Sequence, residues 1–242
     1  MMSTSFRIVT IPKTGEDPEN NRQLLTLAQK FRAFRLFALK TSPGAFASTY
    51  EDEAQRGLDQ TFERLKNTKA TQFMALSCGV KTDNACEANL ETLIESEWLG
   101  FVVLLGPQES STGISAQRDP YPEMTTSTNK PQQDLSILEG NEYFHFHLNG
   151  MFVHPSARRL DIGKQLIRSA LHDAERQGAN SGCGTCCRCI VNEGNDGAQS
   201  VYERCGFVVT GKEMYQVCGE DRVALRMELW RGGRVADPWM AT

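Results

Sequence analysis

The chain has 242 residues, which suits one large domain or two small ones. Lysine and arginine together number 26 against 30 aspartates and glutamates, so the net charge is −4 and no basic excess favours binding to nucleic acid. Hydrophobic residues make up 40% and charged residues 23%, a composition that excludes a globally disordered chain.

The sequence shows neither a membrane span nor a secretory signal. Its longest apolar stretch, 98–106, has about nine residues, whereas a spanning helix needs about 20. The first residues lack the basic segment and apolar core of a signal peptide. We therefore expect an intracellular protein, cytoplasmic or nuclear, that has no membrane partner and keeps its cysteines as thiols.

Apolar periodicity predicts an α/β protein. Strands are predicted at 6–11, 72–80, 98–105, 142–153, 188–192, 207–210 and 223–230. Helices are predicted at 22–39, 48–66, 162–177 and 198–205. Gly178 is expected to close the third helix as its C′ residue. Because the two main helical crossovers lie between strands, the order of elements favours one mixed sheet.

Two polar stretches, at about 81–97 and 108–140, interrupt this pattern. We interpret both as insertions in a single domain that spans 1–242. The second is too poor in apolar residues to offset the entropy of ordering it, so we predict a long mobile insertion. A loop that faces the substrate is the alternative, because long loops are often functional.

The segment between the fourth strand and the third helix is suited to receive an anion. Backbone N–H groups of a first helical turn point toward the preceding turn, where the helix dipole is also positive. Arg158, Arg159 and Lys164 add positive charge, and Gly163 lets a ligand approach the backbone closely. Taken alone, the segment is equally compatible with an ordinary strand-to-helix turn.

Two spaced motifs make the segment more specific. Residues Val153, Pro155, Arg158 and Gly163 are spaced as in V-x-P-x-x-[RQ]-x-x-G-x-[GA]. Downstream, N-x-x-A-x-x-x-Y-x-x-x-G-F is matched by Asn195, Ala198, Tyr202, Gly206 and Phe207. In this order the motifs resemble the GNAT superfamily, the acetyl-CoA-dependent N-acetyltransferases. The run 32–39, with Ser42-Pro43 and Ala45-Phe46, is similar to the first helix region of many members, so the resemblance covers about 6–230 apart from the insertions.

The resemblance implies a GNAT-like fold, in which a mixed central sheet of about seven strands is flanked by helices. Two parallel strands, the one that ends at Val153 and the one at 188–192, would splay apart around the pantetheine arm of acetyl-CoA. Asn149-Gly150 offers a β-bulge there, with a plain edge defect as the alternative. The implied contacts with the cosubstrate are made by Met151, Phe152, Val153, Arg158, Arg159, Asp161, Ile162, Gly163, Lys164, Asn192, Asn195 and Tyr202.

Asp161 departs from the family pattern, because it stands where the motif has its first glycine. A carboxylate beside a pyrophosphate repels the ligand and competes for the same helix amides. It could instead turn outward, or cap the helix when no ligand is bound. We expect Asp161 to weaken cosubstrate binding and to leave the fold unchanged.

The resemblance also implies two catalytic residues. Tyr202 stands where the family has a tyrosine that protonates the departing thiolate; a core tyrosine is the alternative. His147 lies six residues before Val153, where many relatives carry a glutamate that takes the proton of the amine. A histidine in a strand is more often structural. Asn195 would bind the cosubstrate or cap the last helix.

The cysteines at 183, 186, 187 and 189 suggest a metal site. A structural zinc site needs four ligands, usually from two separated pairs. The residues that would complete it are Cys205, Cys218 or His172. The alternative is that Cys187 and Cys189 are small buried residues of a strand and that Cys183 and Cys186 lie in its lead-in turn. We predict no metal.

Together these features predict an N-acetyltransferase that moves the acetyl group of acetyl-CoA to a primary amine by direct attack in a ternary complex. The sequence does not identify the acceptor, which is a small molecule or a protein amine, or the oligomeric state. A non-catalytic acyl-CoA-binding regulatory module on the same fold is the first alternative. A metal-stabilised interaction protein is the second.

Overall fold

The computed structural model describes residues 5–13, 18–78, 89–108, 143–217 and 219–232. The predicted insertion at 108–140 lies outside these residues except for Gln108, and so does the other insertion up to residue 88. The extent of one domain over 1–242 therefore stays a prediction.

The described residues form seven strands and six α-helices. The strands are Ser5–Thr10 (β1), Ala70–Cys78 (β2), Trp98–Gln108 (β3), Tyr143–Val153 (β4), Gly184–Asn192 (β5), Val208–Val217 (β6) and Glu220–Arg231 (β7). The helices are Pro18–Thr41 (α1), Tyr50–Gln55 (α2), Leu58–Lys66 (α3), Leu90–Glu95 (α4), Ile162–Asn180 (α5) and Asp196–Arg204 (α6). Short 3₁₀ turns at Pro43–Ala45 and Pro155–Ala157 follow α1 and β4. Of the helices described, none is long and apolar enough to cross a membrane.

The strands form one mixed sheet in the order β1-β2-β3-β4-β5-β7-β6. Strands β4 and β5 are parallel, and the other neighbouring strands are antiparallel. This sheet confirms the predicted mixed architecture of about seven strands. Strand β3 lies in the interior of the sheet, between β2 and β4, and successive residues such as Phe101 and Val102 are buried on opposite faces, as its uninterrupted apolar run predicts.

Helices cover both faces of the sheet, and each face has its own core. One core contains the apolar stripe of α5, which recurs at helical spacing: Ile162, Leu166, Ile167, Ala170, Leu171 and Ala174. The other core joins α1, α3 and α4 to β2 and β3. Residues that face the second core therefore meet side chains from the first part of the chain.

The single helix predicted at 48–66 is wrong. The chain forms α2 and α3 instead, because Arg56 and Gly57 adopt extended backbone with ψ angles of 136° and 158°. Thr49 caps α2 through its hydroxyl, which accepts a hydrogen bond from the backbone N–H of Asp52 at 3.1 Å. The break lets α3 pack against α1.

The expected end of α5 at Gly178 is also wrong, because the helix continues to Asn180. Gly182, with φ +70°, takes the left-handed C′ position. Its N–H donates to the carbonyl of Ala179 at 3.1 Å, and the N–H of Cys183 donates to the carbonyl of Gly178 at 2.9 Å. Gly178 instead allows α5 to pack closely against β5, since a Cβ there would lie 2.5 Å from Cγ2 of Thr185.

Candidate active site

Strands β4 and β5 pair over only part of their length. The parallel ladder runs from Tyr143 opposite Gly184 to Leu148 opposite Cys189. Beyond that point, residues 149–153 and 190–192 continue as strands but no longer pair with each other. The two strand ends therefore bound a wedge, in which backbone groups can hydrogen-bond an extended ligand.

A β-bulge shapes the β4 side of this wedge, as predicted at Asn149-Gly150. Phe101 is opposite Phe152 and Val103 is opposite Asn149, so two steps along β3 correspond to three along β4. Gly150 has φ +64°, a backbone conformation that residues with a Cβ rarely adopt. The extra residue changes the alternation of β4.

Past the bulge, side chains face the opposite cores from those that simple alternation would give. Leu148, Met151 and Val153 all pack in the core on the α5 side. Phe152 is buried in the other core. Phe152 can therefore contact a ligand in the wedge only through its backbone, whereas Met151 and Val153 are half-buried.

The turn before α5 contains two residues with left-handed backbone, Arg159 with φ +66° and Asp161 with φ +59°. The left-handed region explains why the family motif has a glycine at position 161, and aspartate is among the few other residues that visit it readily. Asp161 is exposed, and its side chain makes no capping hydrogen bond. The carboxylate thus turns outward, which leaves the first N–H groups of a 19-residue helix accessible.

The cationic side chains of this turn have different surroundings. Arg158 is held by the protein: its Nε donates to the carbonyl of Val153 at 3.3 Å and its Nη2 to Oγ of Ser42 at 3.1 Å. Arg159 is exposed and Lys164 is half-exposed, so both are accessible to an anion. Arg158 instead ties the turn to the end of α1.

Ile162 and Gly163 place the start of α5 against its neighbours. Ile162 is buried in the core at 1% exposure, so only its backbone can reach a ligand. A Cβ at Gly163 would lie 3.6 Å from Cγ2 of Val153 and 3.7 Å from Cγ1 of Val201, which is ordinary contact. Gly163 therefore has room for a methyl group, but a larger side chain would push against β4 and α6.

Tyr202 lies in the core beside the closed end of the wedge. Its ring is 4% exposed and packs edge-on against Phe207, with ring centroids 5.3 Å apart. Burial, and then the neighbouring thiols of Cys189 and Cys205, hold the pKa of Tyr202 well above its ordinary value. Its phenol therefore keeps its proton at neutral pH. Cys189 is the last β5 residue that pairs with β4, which puts Tyr202 close to where the strands part.

Asn192 and Asn195 already bond to protein groups. Nδ2 of Asn192 donates to the carbonyl of Gly44 at 2.7 Å, and its Oδ1 accepts from the hydroxyl of Tyr215 at 2.6 Å. Oδ1 of Asn195 accepts from the N–H of Ala198 at 3.3 Å, so Asn195 caps α6. Asn192 thus links the end of β5 to β6 and to the 3₁₀ turn after α1.

His147 lies one pair before the ladder ends, opposite Arg188 of β5 and Leu105 of β3. By strand alternation it shares a face with Asn149, which is at the bulge. His145, on the same face, packs edge-on against Trp230 at 5.9 Å. Neither histidine is among the described residues that line the cavity below, whereas Asn149 is.

The cavity lies between the first three helices and the sheet, and sequence reasoning missed it. Its volume is about 150 Å³. Its polar lining consists of Arg35, Ser48, Asp52, Arg56, Arg64, Asn67, Gln72, Asn149, Tyr215 and Gln216. Tyr215 was missed because β6 was predicted to end at Thr210; as an edge strand β6 is largely exposed and shows no continuous apolar pattern. Burial raises the pKa of Tyr215, so it too stays protonated at neutral pH.

A buried carboxylate organises the arginines of this cavity. Glu53, 2% exposed, is 2.9 Å from Nη1 of Arg64, 3.2 Å from Nε of Arg35 and 3.4 Å from Nη1 of Arg56. Burial alone would raise the pKa of Glu53, but the three guanidinium groups, Arg35 foremost, bring it below its ordinary value. The sequence carries no local signal for this cluster, because its members come from three helical segments.

The cysteine-rich stretch is part of the sheet. The lead-in turn predicted at Cys186 is wrong, because Cys186 lies within β5, and Cys186, Cys187 and Cys189 are buried. Burial, with neighbouring groups, raises the pKa of Cys187 to about 12. The described residues contain no group of three or more histidines, cysteines and acidic residues that could hold a metal ion.

The comparisons with known proteins agree with this architecture. Residues 94–207 match the model of the acetyltransferase (GNAT) family, a range that holds β3 to α6 and so both sides of the wedge. The crystal structure of Arabidopsis thaliana NAA60 with a bisubstrate analogue is similar with a TM-score of 0.51, at 14% identity, over 95% of this chain and 100% of that chain. The structure of spermidine N-acetyltransferase from Vibrio cholerae in complex with CoA and spermine has a TM-score of 0.48 at 12% identity. That alignment covers 93% of this chain and 95% of that chain. A comparison with the sequences of curated proteins gives no match.

The similarity to the NAA60 structure, at 14% identity, concerns the fold alone, and the family match concerns the segment that builds the wedge and the turn before α5. Residues 94–207 are therefore similar to the GNAT acetyltransferase family, and the single mixed sheet that they help to form is GNAT-like in fold.

Proposed function

We propose that the protein transfers the acetyl group of acetyl-CoA to a primary amine by direct attack in a ternary complex. The observation that carries the proposal is the wedge between β4 and β5, with the bulge at Gly150 on one side and the start of α5 at its end. When bound, the thioester supplies an activated acyl group. The residues of the chain bind it, orient it and handle the protons. An intracellular location, cytoplasmic or nuclear, belongs to the same proposal.

The wedge fits the pantetheine arm. Residues 151–153 and 190–192 are strand ends that do not pair with each other, so an extended ligand with amide groups can bond to them as an added strand would. Met151, Phe152 and Val153 contribute backbone groups here. Asn192 supports the β5 side through its bonds to Gly44 and Tyr215.

The turn before α5 fits the pyrophosphate. The N–H groups at the start of α5, including those of Ile162 and Gly163, and the positive end of the helix dipole favour an anion there. Arg159 and Lys164 are accessible and add charge, while Arg158 positions the turn. The outward carboxylate of Asp161 opposes them without blocking the helix amides.

Two residues would handle protons. Tyr202, protonated and next to the point where the strands part, would donate to the leaving thiolate, which is a better leaving group once protonated. His147, two residues before the bulge on the face of Asn149, would accept the proton of the amine through water. Backbone N–H groups near Met151 and Val153 would stabilise the oxyanion that forms during attack.

The proposal is tested by thiol release from acetyl-CoA with a panel of amines, alongside calorimetric binding of acetyl-CoA. Lys164→Glu, in the first turn of α5, should weaken acetyl-CoA binding about tenfold, since reversing a charge at an anion site costs roughly 1–2 kcal/mol. Arg168→Glu, an exposed arginine one turn later on the same helix, is the matched control and should bind nearly as the wild type does. Equal weakening by both variants, or an absence of binding, would contradict the proposal.

A non-catalytic acyl-CoA-binding module is the second candidate, and the exposed carboxylate of Asp161 at the anion site is the observation that favours it. The same two assays separate the candidates. A module binds acetyl-CoA in the calorimeter but releases no thiol with any amine, whereas the enzyme does both.

A further inference from the structure

A series of hydrogen bonds links the cavity to the β5 side of the wedge. Tyr215 of β6 is half-buried and lines the cavity together with Asn149 and Gly150 of the bulge. Its hydroxyl donates to Oδ1 of Asn192, the last residue of β5, at 2.6 Å. Nδ2 of Asn192 in turn donates to the carbonyl of Gly44 at 2.7 Å. These two bonds form a relay, from Tyr215 through Asn192 to Gly44, that connects the cavity lining with the 3₁₀ turn after α1.

The direction of each bond in the relay follows from the chemistry of its groups. The carbonyl of Gly44 can only accept, so the amide of Asn192 turns Nδ2 toward it and Oδ1 toward Tyr215. Arg222, opposite Tyr215 on β7, hydrogen-bonds the same hydroxyl, and a guanidinium can only donate. Burial raises the pKa of Tyr215, so its hydroxyl stays protonated at neutral pH and donates to Asn192. Aligned bonds of this kind polarise and strengthen one another, so the loss of one weakens the next.

The turn Pro43–Ala45 is bonded to both sides of the wedge. From the β4 side, Arg158 donates to the carbonyl of the last residue of that strand at 3.3 Å and to Oγ of Ser42 at 3.1 Å. From the β5 side, the bond from Asn192 reaches Gly44. All three residues of the turn are exposed, so hydrogen bonds rather than core packing hold it against the strand ends. Arg158 and the relay therefore tie together the two strands that bound the wedge.

The tip of β5 has fewer backbone partners than the rest of that strand. The parallel ladder with β4 ends at Cys189, and beyond it the described strands pair β5 with β7 alone, as far as Asn192 opposite Ala224. Tyr215 reaches Asn192 across β7, which lies between β5 and β6 in the sheet. The relay is therefore a second restraint on the tip, and a shift of the tip would change the width of the wedge.

We propose that Tyr215 is a positioning residue for acetyl transfer, which acts through Asn192 to fix the tip of β5 and the turn Pro43–Ala45 at the spacing that an extended cosubstrate needs. This proposal rests on the proposed acetyl transfer and adds to it a residue outside both sequence motifs. The hydroxyl of Tyr215 donates its one proton to Asn192 and accepts from Arg222, so it is engaged with the protein rather than with an acceptor.

Tyr215→Phe tests the proposal, because it keeps the ring and removes the hydroxyl. Calorimetry should show acetyl-CoA binding weakened roughly three- to tenfold, as the loss of one partly buried hydrogen bond would give. With an amine that the wild type acetylates, kcat should fall because the reacting atoms are less well aligned, while KM for the amine changes little. Tyr50→Phe, which removes the hydroxyl of an exposed tyrosine in α2, is the matched control and should behave as the wild type does.

The division between kcat and KM separates positioning from direct contact. A raised KM for the amine with unchanged acetyl-CoA binding would make Tyr215 an acceptor contact and would overturn the inference. Unchanged binding and turnover would overturn it as well. The measurements are made well below the Tm of each variant, so a change in overall stability alone leaves the dissociation constant of acetyl-CoA unchanged.

A double-mutant cycle shows whether Tyr215 acts through Asn192. Asn192→Ala removes both bonds of the relay and should weaken acetyl-CoA binding at least as much as Tyr215→Phe does. If Tyr215 acts through Asn192, adding Tyr215→Phe to Asn192→Ala has no further effect. Effects that multiply in the double variant would mean independent roles and would refute the relay.

Hydrogen exchange without ligand separates this inference from the proposed function. In the wild type, the backbone N–H of Ala45 donates to the carbonyl of Ser42 at 3.0 Å within the turn. Tyr215→Phe and Asn192→Ala should each speed exchange at Ala45, whereas Tyr50→Phe should not. Faster exchange in a protein that neither binds acetyl-CoA nor releases thiol would refute the acetyl transfer and leave the relay standing. Unchanged exchange in a protein that acetylates amines would keep the transfer and refute the relay.

Discussion

Glu53→Gln tests whether one buried carboxylate holds the first three helices together. In the wild type the carboxylate is 2% exposed and has three guanidinium groups at 2.9, 3.2 and 3.4 Å. The neutral amide can still accept a hydrogen bond from one arginine, but the substitution removes the buried negative charge that all three guanidinium groups share. The variant is therefore expected to be less stable than the wild type.

The size of the expected loss of stability follows from the burial of Glu53. Ion pairs at the surface contribute about 0–1 kcal/mol, because water screens them. Removing one partner of a buried pair costs about 3–5 kcal/mol. Because the amide retains some hydrogen bonding, we expect a loss of about 3 kcal/mol in the free energy of unfolding, at the lower end of that range. For a chain of this size that corresponds to roughly 6–12 °C in Tm.

The pH dependence gives a second readout with a defined sign. The arginines hold the pKa of Glu53 below its ordinary value in the folded protein. Its contribution is therefore complete above the unfolded pKa of about 4.3 and is lost as the pH falls through the folded pKa. Glu53→Gln should remove this part of the acid destabilisation, so the two proteins should become closer in stability as the pH is lowered.

Urea unfolding followed by circular dichroism, at pH 7 and at several acidic values, measures both effects. Glu63→Gln, an exposed acid on α3, is the matched control and should stay within about 0.5 kcal/mol of the wild type. A loss of less than about 1 kcal/mol in the free energy of unfolding of Glu53→Gln, with the same fall in stability at acidic pH as the wild type, would refute the reasoning. The cluster would then behave as a surface ion pair.

Three further predictions concern the wedge and the turn before α5. Tyr202→Phe should lower turnover about 10²–10⁴-fold with little change in acetyl-CoA affinity. Undiminished turnover would mean that Tyr202 only packs in the core and donates no proton. Asp161→Gly should tighten acetyl-CoA binding, more at low salt than at high salt because exposed charges are screened; weaker binding would mean that Asp161 supports the turn. His147→Ala should slow turnover. It should also flatten the pH–rate profile, which otherwise rises through about pH 6 to 7, where histidine ordinarily titrates. An unchanged rise in rate over that pH range would place the general base elsewhere.

Features encoded by neighbouring residues were predictable from the sequence. The strand before His154, the turn and the start of α5 are contiguous, so the motif from Val153 to Gly163 fixes their order and spacing. The bulge at Asn149-Gly150 was predictable for the same reason, since a glycine within a strand often marks a backbone conformation that other residues avoid.

Features that depend on tertiary packing were not predictable in this way. Arg35, Glu53, Arg56 and Arg64 look like surface charges in the sequence, and only the packing of α3 against α1 brings them together. One helix was likewise predicted over 48–66, although the chain bends at Arg56 and Gly57. The cavity was missed because both of its walls depend on such long-range contacts.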